Sequence, residues 1–175
     1  LHQQLFCIKI IVADATIIFL GGIMGKDNKV YYGKTIGHYI SILYRLGGMH
    51  YSKEFAKFNI GSGQFGFLSY VFEHNGVSQE CISNNLLMDK GTTARALKKL
   101  EEEGYIKREV DLKDKRIRRV FVTEKALGIE DEFFVILKSW SKIISSDFTE
   151  DEKNTLLNLF KRMVDNQKEV LIKER

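Results

Sequence analysis

Proline is absent from all 175 residues, and the chain has only two cysteines, one tryptophan and four histidines. Without proline, turns must be set by glycine, asparagine and aspartate. Cys7 and Cys81 have no motif spacing; they exclude a disulfide framework and point to a reducing compartment. His2, His38, His50 and His74 show no metal-ligand spacing, so no metal is expected, and no cofactor. No acid–base pair or nucleophile motif stands out, which argues against an enzyme. Neither charge sign dominates: 27 Lys and Arg face 23 Asp and Glu, a net of +4. An apolar fraction of 44% suffices for a core, and the length fits one domain with helical extensions.

Long apolar runs are scarce beyond residues 5–24, LFCIKIIVADATIIFLGGIM. That run has about the length of a membrane span. Lys9 and Asp14 would be costly in lipid, and neither a basic flank nor a small-residue cleavage site marks a signal peptide. No membrane partner is expected. Leu20-Gly21-Gly22-Ile23-Met24 can be encoded with a purine-rich ribosome-binding site just before an ATG. Residues 1–23 are therefore expected to be translated leader, with Met24 the natural start. A buried or disordered extension and a membrane anchor are the alternatives.

What is present is concentrated in residues 77–123. Ser78 is placed to cap a helix in which Ile82 and Leu86 share a face. Asp89 is placed to cap a second helix with Thr93, Ala96, Leu97 and Leu100 inward and Lys90, Gly91, Ala94, Arg95 and Lys98 outward. Gly104 stops it. Residues 105–110 alternate as a strand, 111–119 are polar and turn-like, and Val120-Phe121-Val122 returns as a second strand. From Asp89 to Val122 there are eleven Lys or Arg and seven Asp or Glu, so this segment carries the whole net charge of the chain. Helix, turn, helix and a cationic hairpin make a winged helix-turn-helix, a module that sets one helix in the DNA major groove.

The order and spacing of Ser78-Gln79, Met88-Asp89-Lys90-Gly91-Thr92, Arg95, Leu100-Glu101, Gly104-Tyr105-Ile106 and the wing run Asp114-Lys115-Arg116-Ile117-Arg118-Arg119-Val120-Phe121-Val122-Thr123 resemble the multiple-antibiotic-resistance regulator (MarR) family of bacterial transcriptional regulators. The resemblance extends over about residues 33–172. It departs at Leu87, where a turn glycine is common, at Gly91 and Thr93, and at the missing wing proline. Cys7 and Cys81 do not match the sensing cysteine of the peroxide-sensing branch.

The resemblance implies a mainly α fold with a small β-wing, in a single domain over 24–175. Within it, 58–122 would form the DNA-binding lobe, and 33–57 with 123–172 the helical dimerisation region. It also implies a cytoplasmic homodimer on double-stranded DNA, acting as a repressor released by a small-molecule effector. Thr92 and Arg95 are the expected base-edge or nearby phosphate contacts and Lys98 and Lys99 phosphate contacts, with Lys90 a further DNA-binding residue. Arg116 at the wing tip is expected in the minor groove, with Arg118 and Arg119 along the backbone and Lys115 a further DNA-binding residue. Asp114 would orient Arg116, since a carboxylate is repelled by phosphate. His38, Tyr39, Tyr44 and His50 are candidates for an effector cavity, or else side chains packed at an interface.

The flanking segments carry helical spacing. Residues 34–55 place Ile36, Tyr39, Ile40, Leu43, Leu46 and His50 at helical intervals, with Gly47-Gly48 a weak point. Residues 64–74 form another helix with Phe65, Leu68, Val71 and Phe72 inward. One long helix is expected from Thr123 to about Ser145, carrying Trp140. Thr149 and Glu152 form a capping box for a last helix reaching about Ile172. Apolar faces on these flanking helices exceed what the winged module can cover, hence the expected dimer.

Two other classes are weighed beside the regulator. A winged helix can serve protein interaction without specific DNA binding. Gly61, Gly63 and Gly66 form a literal G-x-G-x-x-G, but no strand precedes it, so a turn into a helix is favoured over a nucleotide-binding enzyme.

Overall fold

The computed structural model describes residues 35–173, with side chains to residue 168, and four two-residue strands nearer the N-terminus. Of these, β1 (Val12–Ala13) pairs antiparallel with β2 (Thr16–Ile17), and β3 (Ile23–Met24) with β4 (Val30–Tyr31). Otherwise the expected leader, with His2 and Cys7, lies outside the described residues. Contacts divide the chain into two units, Leu1–Ile136 and Leu137–Arg175.

The first unit begins its helical part with α1 (Ile36–Glu54), capped by the Thr35 hydroxyl, which accepts from the His38 amide at 3.1 Å. The helix runs unbroken through Gly47-Gly48, and Gly47 is buried. A short 3-10 turn (Ala56–Phe58) follows, closed by Asn59 in the left-handed region. The glycine-rich run is a turn: the Gln64 side chain accepts from the Gly61 amide at 2.6 Å, and Gln64 N donates to Gly61 O at 2.9 Å. It leads into α2 (Phe65–Glu73). On α2 the buried residues are Phe67, Leu68 and Val71; Phe65 and Phe72 are half-buried, their rings stacked with Phe55 and tilted against Phe133.

Gly76 adopts φ +82, and its amide donates to Val120 O at 2.9 Å. That close approach starts a strand not anticipated from sequence, β5 (Val77–Ser78). Two residues are too few to show alternation, so only the pairing partner reveals it. Next come α3 (Gln79–Asn85) and α4 (Lys90–Glu102), then β6 (Ile106–Val110) and β7 (Arg118–Val122). The sheet order is β5-β7-β6, all antiparallel, with Val77 opposite Val120 and Arg108 opposite the same residue on the other side. Phe55, Leu68, Ile82, Leu97, Leu100, Val120 and Phe133 are fully buried or nearly so, and form the core of this unit.

The single long helix expected after the wing is two. α5 (Glu124–Leu127) ends at Gly128, and α6 (Glu130–Ile144) begins after Ile129. Ile129 N bonds back three residues to Ala126 O, a tighter turn than the α-helix makes, at a glycine that favours leaving the helix. Trp140 lies on α6.

The second unit contains the end of α6 and α7 (Glu150–Lys173). The capping box is formed: Thr149 N donates to the Glu152 carboxylate at 2.8 Å, and Glu152 N to the Thr149 hydroxyl at 3.3 Å. The Thr149 backbone N–H, and then its hydroxyl donating to Glu152 Oε2 at 2.9 Å, hold the Glu152 carboxyl below its usual range. Among the described residues no helix is long and apolar enough to cross a membrane.

Candidate nucleic-acid interface

α3 and α4 are locked at their starts by their own side chains. The Ser78 hydroxyl accepts from Cys81 N at 3.2 Å. Asp89 Oδ1 accepts from Thr92 N at 2.8 Å. Hydrogen bonds from Thr92, side chain first and backbone second, keep the Asp89 carboxyl below its usual range. Between the helices, Ser83 Oγ donates to Met88 O at 2.6 Å, and Leu87 takes φ +52. Leucine there occupies the left-handed region that glycine adopts without strain.

α4 buries Thr93, Ala96, Leu97 and Leu100. Thr93 satisfies its hydroxyl on Asp89 O at 3.0 Å, which is how a polar residue sits at a core position. The opposite face exposes Lys90, Gly91, Arg95, Lys98 and Lys99. Arg95 Nη2 donates to Thr92 Oγ1 at 2.9 Å. Lys90 pairs with Glu80 at 3.0 Å and Lys98 with Glu102 at 3.6 Å. Both are exposed pairs of the kind that contributes ~0–1 kcal/mol and yields readily to a phosphate.

The wing turn is organised by two aspartates. Asp111 Oδ1 accepts from Lys113 N at 2.7 Å and Asp114 N at 2.9 Å, and Arg119 donates to Oδ2. The Arg119 bond, then the two backbone N–H groups, bring the Asp111 carboxyl down to about 2. Asp114 Oδ1 accepts from Arg116 N and Nε, both at 3.0 Å, and Oδ2 from Arg116 Nη2 at 2.9 Å. Arg116 remains 90% exposed. Lys115 and Arg118 are exposed as well.

Arg119 also donates to Gly76 O at 3.0 Å, so its guanidinium joins the wing to the turn before β5. Of the four wing cations named from sequence, this is the one committed to structure at both ends. Glu101 and Arg108 were missed. Arg108 donates from N at 3.2 Å and Nε at 3.0 Å, and from Nη2, to the Glu101 carboxylate. The pair is half-buried and ties the last turns of α4 to β6; the Arg108 bond holds the Glu101 carboxyl low. A Glu seven residues before an Arg, across a helix stop and into a strand, has no periodic signature.

The four effector candidates all lie on α1. The His38 and Tyr39 rings meet edge-on at 5.6 Å, as do those of His50 and Tyr51 at 5.5 Å. Helical spacing places Tyr39 and His50 within about 20° of one another, with His38 about 100° and Tyr44 about 140° from Tyr39. The structure therefore does not gather the four on one face.

Comparison with known proteins agrees with this geometry. A family model described as MarR family matches residues 60–117. The HTH-type transcriptional regulator YybA of Bacillus subtilis (strain 168) is 32% identical over 113 residues, 65% of this chain and 75% of that protein. A crystal structure of a MarR transcriptional regulator from Methanosarcina mazei Go1 is 41% identical, covering 77% of this chain and 97% of that one, with a TM-score of 0.74. A MarR family regulator from Listeria monocytogenes, solved with a 26mer DNA, is 28% identical over 77% of this chain and 89% of that one, with a TM-score of 0.72.

Proposed function

The chain belongs to the MarR family of transcriptional regulators, and on that premise we propose that it is a homodimer that binds a specific duplex site and acts as a repressor released by a small-molecule effector. It is a regulator and not an enzyme, as its relatives are. The observation that carries the DNA-binding reading is α4: four side chains lock one face into the core, and the other face presents Lys90, Arg95, Lys98 and Lys99 to solvent. The wing adds Lys115, Arg116 and Arg118, and the Listeria relative supports the reading by carrying DNA in its own structure. In this reading Arg95 approaches a base edge, with Thr92 beside it, and Lys90, Lys98 and Lys99 neutralise phosphates. Arg116, oriented by Asp114, enters the minor groove. Arg119 serves the backbone contact through the wing it holds.

The dimer is supported by apolar side chains left in water on each unit. In the first, α1 exposes Ile36, Tyr39, Ile40, Leu46 and Met49; in the second, α7 exposes Leu157, Leu159, Phe160 and Val164. Residues 33–57 and 123–172 are the proposed dimerisation region, and 58–122 the DNA-binding lobe. Covering such faces with a second copy removes the apolar surface from water and duplicates α4 for two half-sites about one DNA turn apart. An effector, for which Tyr39 and His50 are the proposed lining, acts by binding one spacing of the two α4 helices more tightly than the other.

The test is fluorescence anisotropy of residues 24–175 on duplex DNA from upstream of the gene and on a scrambled duplex, across a salt series. Tighter binding to the upstream DNA that weakens as salt rises is expected. Absence of binding at low salt, from a folded protein, would replace this reading with a protein-interaction module.

A further inference from the structure

The first turn of α4 is built around the Arg95 guanidinium. Thr92 lies three residues before Arg95, so helical spacing sets the two on one face. Its Oγ1 accepts from Arg95 Nη2 at 2.9 Å. Thr92 is itself fixed, because its amide donates to the capping carboxylate of Asp89 at 2.8 Å. Gly91 lies beside both the capping carboxylate and the guanidinium. A Cβ at Gly91 would lie 3.2 Å from Asp89 Oδ1 and 3.5 Å from Arg95 Nη1. The guanidinium therefore rests against a bare backbone position, with a hydroxyl holding one edge and the cap carboxylate nearby. An arginine has high rotamer freedom, and ordering it at the moment of binding weakens the contact it makes. Here that ordering is already built into the free protein.

We propose that Thr92 is a positioning residue that presents the Arg95 guanidinium to a guanine edge. The inference rests on the reading of α4 as the major-groove helix. Guanine is the base implied, because its O6 and N7 accept a bidentate pair from arginine. One nitrogen held by Thr92 leaves the remaining N–H groups of the fork for the base. Thr92 thus sharpens discrimination through Arg95 and adds little to attraction for phosphate.

The probe is a duplex selected from a randomised pool by the wild-type chain, compared with a scrambled duplex of the same length. Arg95→Ala is expected to lower the ratio of the two affinities, and Thr92→Val to lower it about fivefold to tenfold with binding to scrambled DNA unchanged. Thr92→Ser keeps the hydroxyl and should keep the ratio. In the Arg95→Ala background Thr92→Val should have no further effect, which a purely structural role would not produce. Thr92→Ala, which also removes the hydroxyl and favours the helix, should lower the ratio in the same way and serves if Thr92→Val folds poorly. If Arg95→Ala leaves the ratio unchanged, the base-reading role of Arg95 fails and the proposal with it. If Arg95→Ala lowers the ratio but folded Thr92→Val does not, the α4 reading stands and Thr92 is no positioning residue. A Thr92→Val effect that persists without Arg95 means Thr92 touches DNA itself and also overturns the proposal.

Discussion

Leu87 is the non-glycine residue that bears the strain of the helix-turn-helix turn, at φ +52 with an exposed side chain. A left-handed conformation costs an L-residue about 1–2 kcal/mol, against about 0.5–1 kcal/mol of extra chain entropy for glycine. Leu87→Gly should therefore stabilise the protein, raising its melting temperature by about 2 °C at fixed protein concentration. Gly76 is the opposite case. At φ +82 an added Cβ would meet Phe121 Cε1 at 2.9 Å, so Gly76→Ala should lower the melting temperature and loosen the wing. Asp111 sets a pH dependence. Its carboxyl falls from 3.8 to about 2 on folding, so its contribution is complete above the unfolded value and is lost as pH falls through 2. Wild type and Asp111→Asn should differ in unfolding free energy by a constant amount above pH 5, with the gap shrinking as pH falls and closing only below pH 2. A gap that stays constant from pH 5 down to pH 2 would remove the Arg119–Asp111 bond as its cause.

At the scale of elements, the sequence was clearest where one residue type has one local job. Ser78, Asp89 and Thr149 cap helices through their own side chains, and Gly104 ends α4 at φ +76. Thr93 departed from the family pattern yet kept its inward place by bonding Asp89 O. What stayed hidden depends on partners distant in sequence. β5 exists because Gly76 and Val77 meet Val120, and Phe67 is buried by neighbours its own spacing did not name. The break at Gly128 escaped because the apolar pattern continues across it to Phe133. In the candidate site the cations were legible as a charge excess, but which of them brace the wing was not. Arg108 and Arg119 are told apart from Arg116 only by the carboxylates and carbonyl they reach. Glu101→Gln keeps one acceptor and should cost about 1 kcal/mol in urea unfolding, discounted for partial exposure. It should also weaken DNA binding if the angle between α4 and β6 matters.

For the whole molecule, the exposed apolar residues of α1 and α7 set the expectation of self-association. Sedimentation should give a dimer at micromolar concentration, and Leu157→Asp should shift it toward monomer without unfolding the first unit. On DNA, Arg116→Ala should reduce the slope of log affinity against log salt by about one, the signature of one lost phosphate-side cation. An unchanged slope would place the wing tip away from the duplex. At Thr123 one hydroxyl donates to Gly104 O at 2.7 Å, lies 3.2 Å from Tyr105 O and accepts from Ala126 N at 3.3 Å. The end of α4, the root of the hairpin and the first turn of α5 thus share a single fastening. Segments tied in this way open together, so in hydrogen exchange the amides of Tyr105, Thr123 and Ala126 should lose protection as one group, and Thr123→Val should speed all three while leaving those of α7 unchanged.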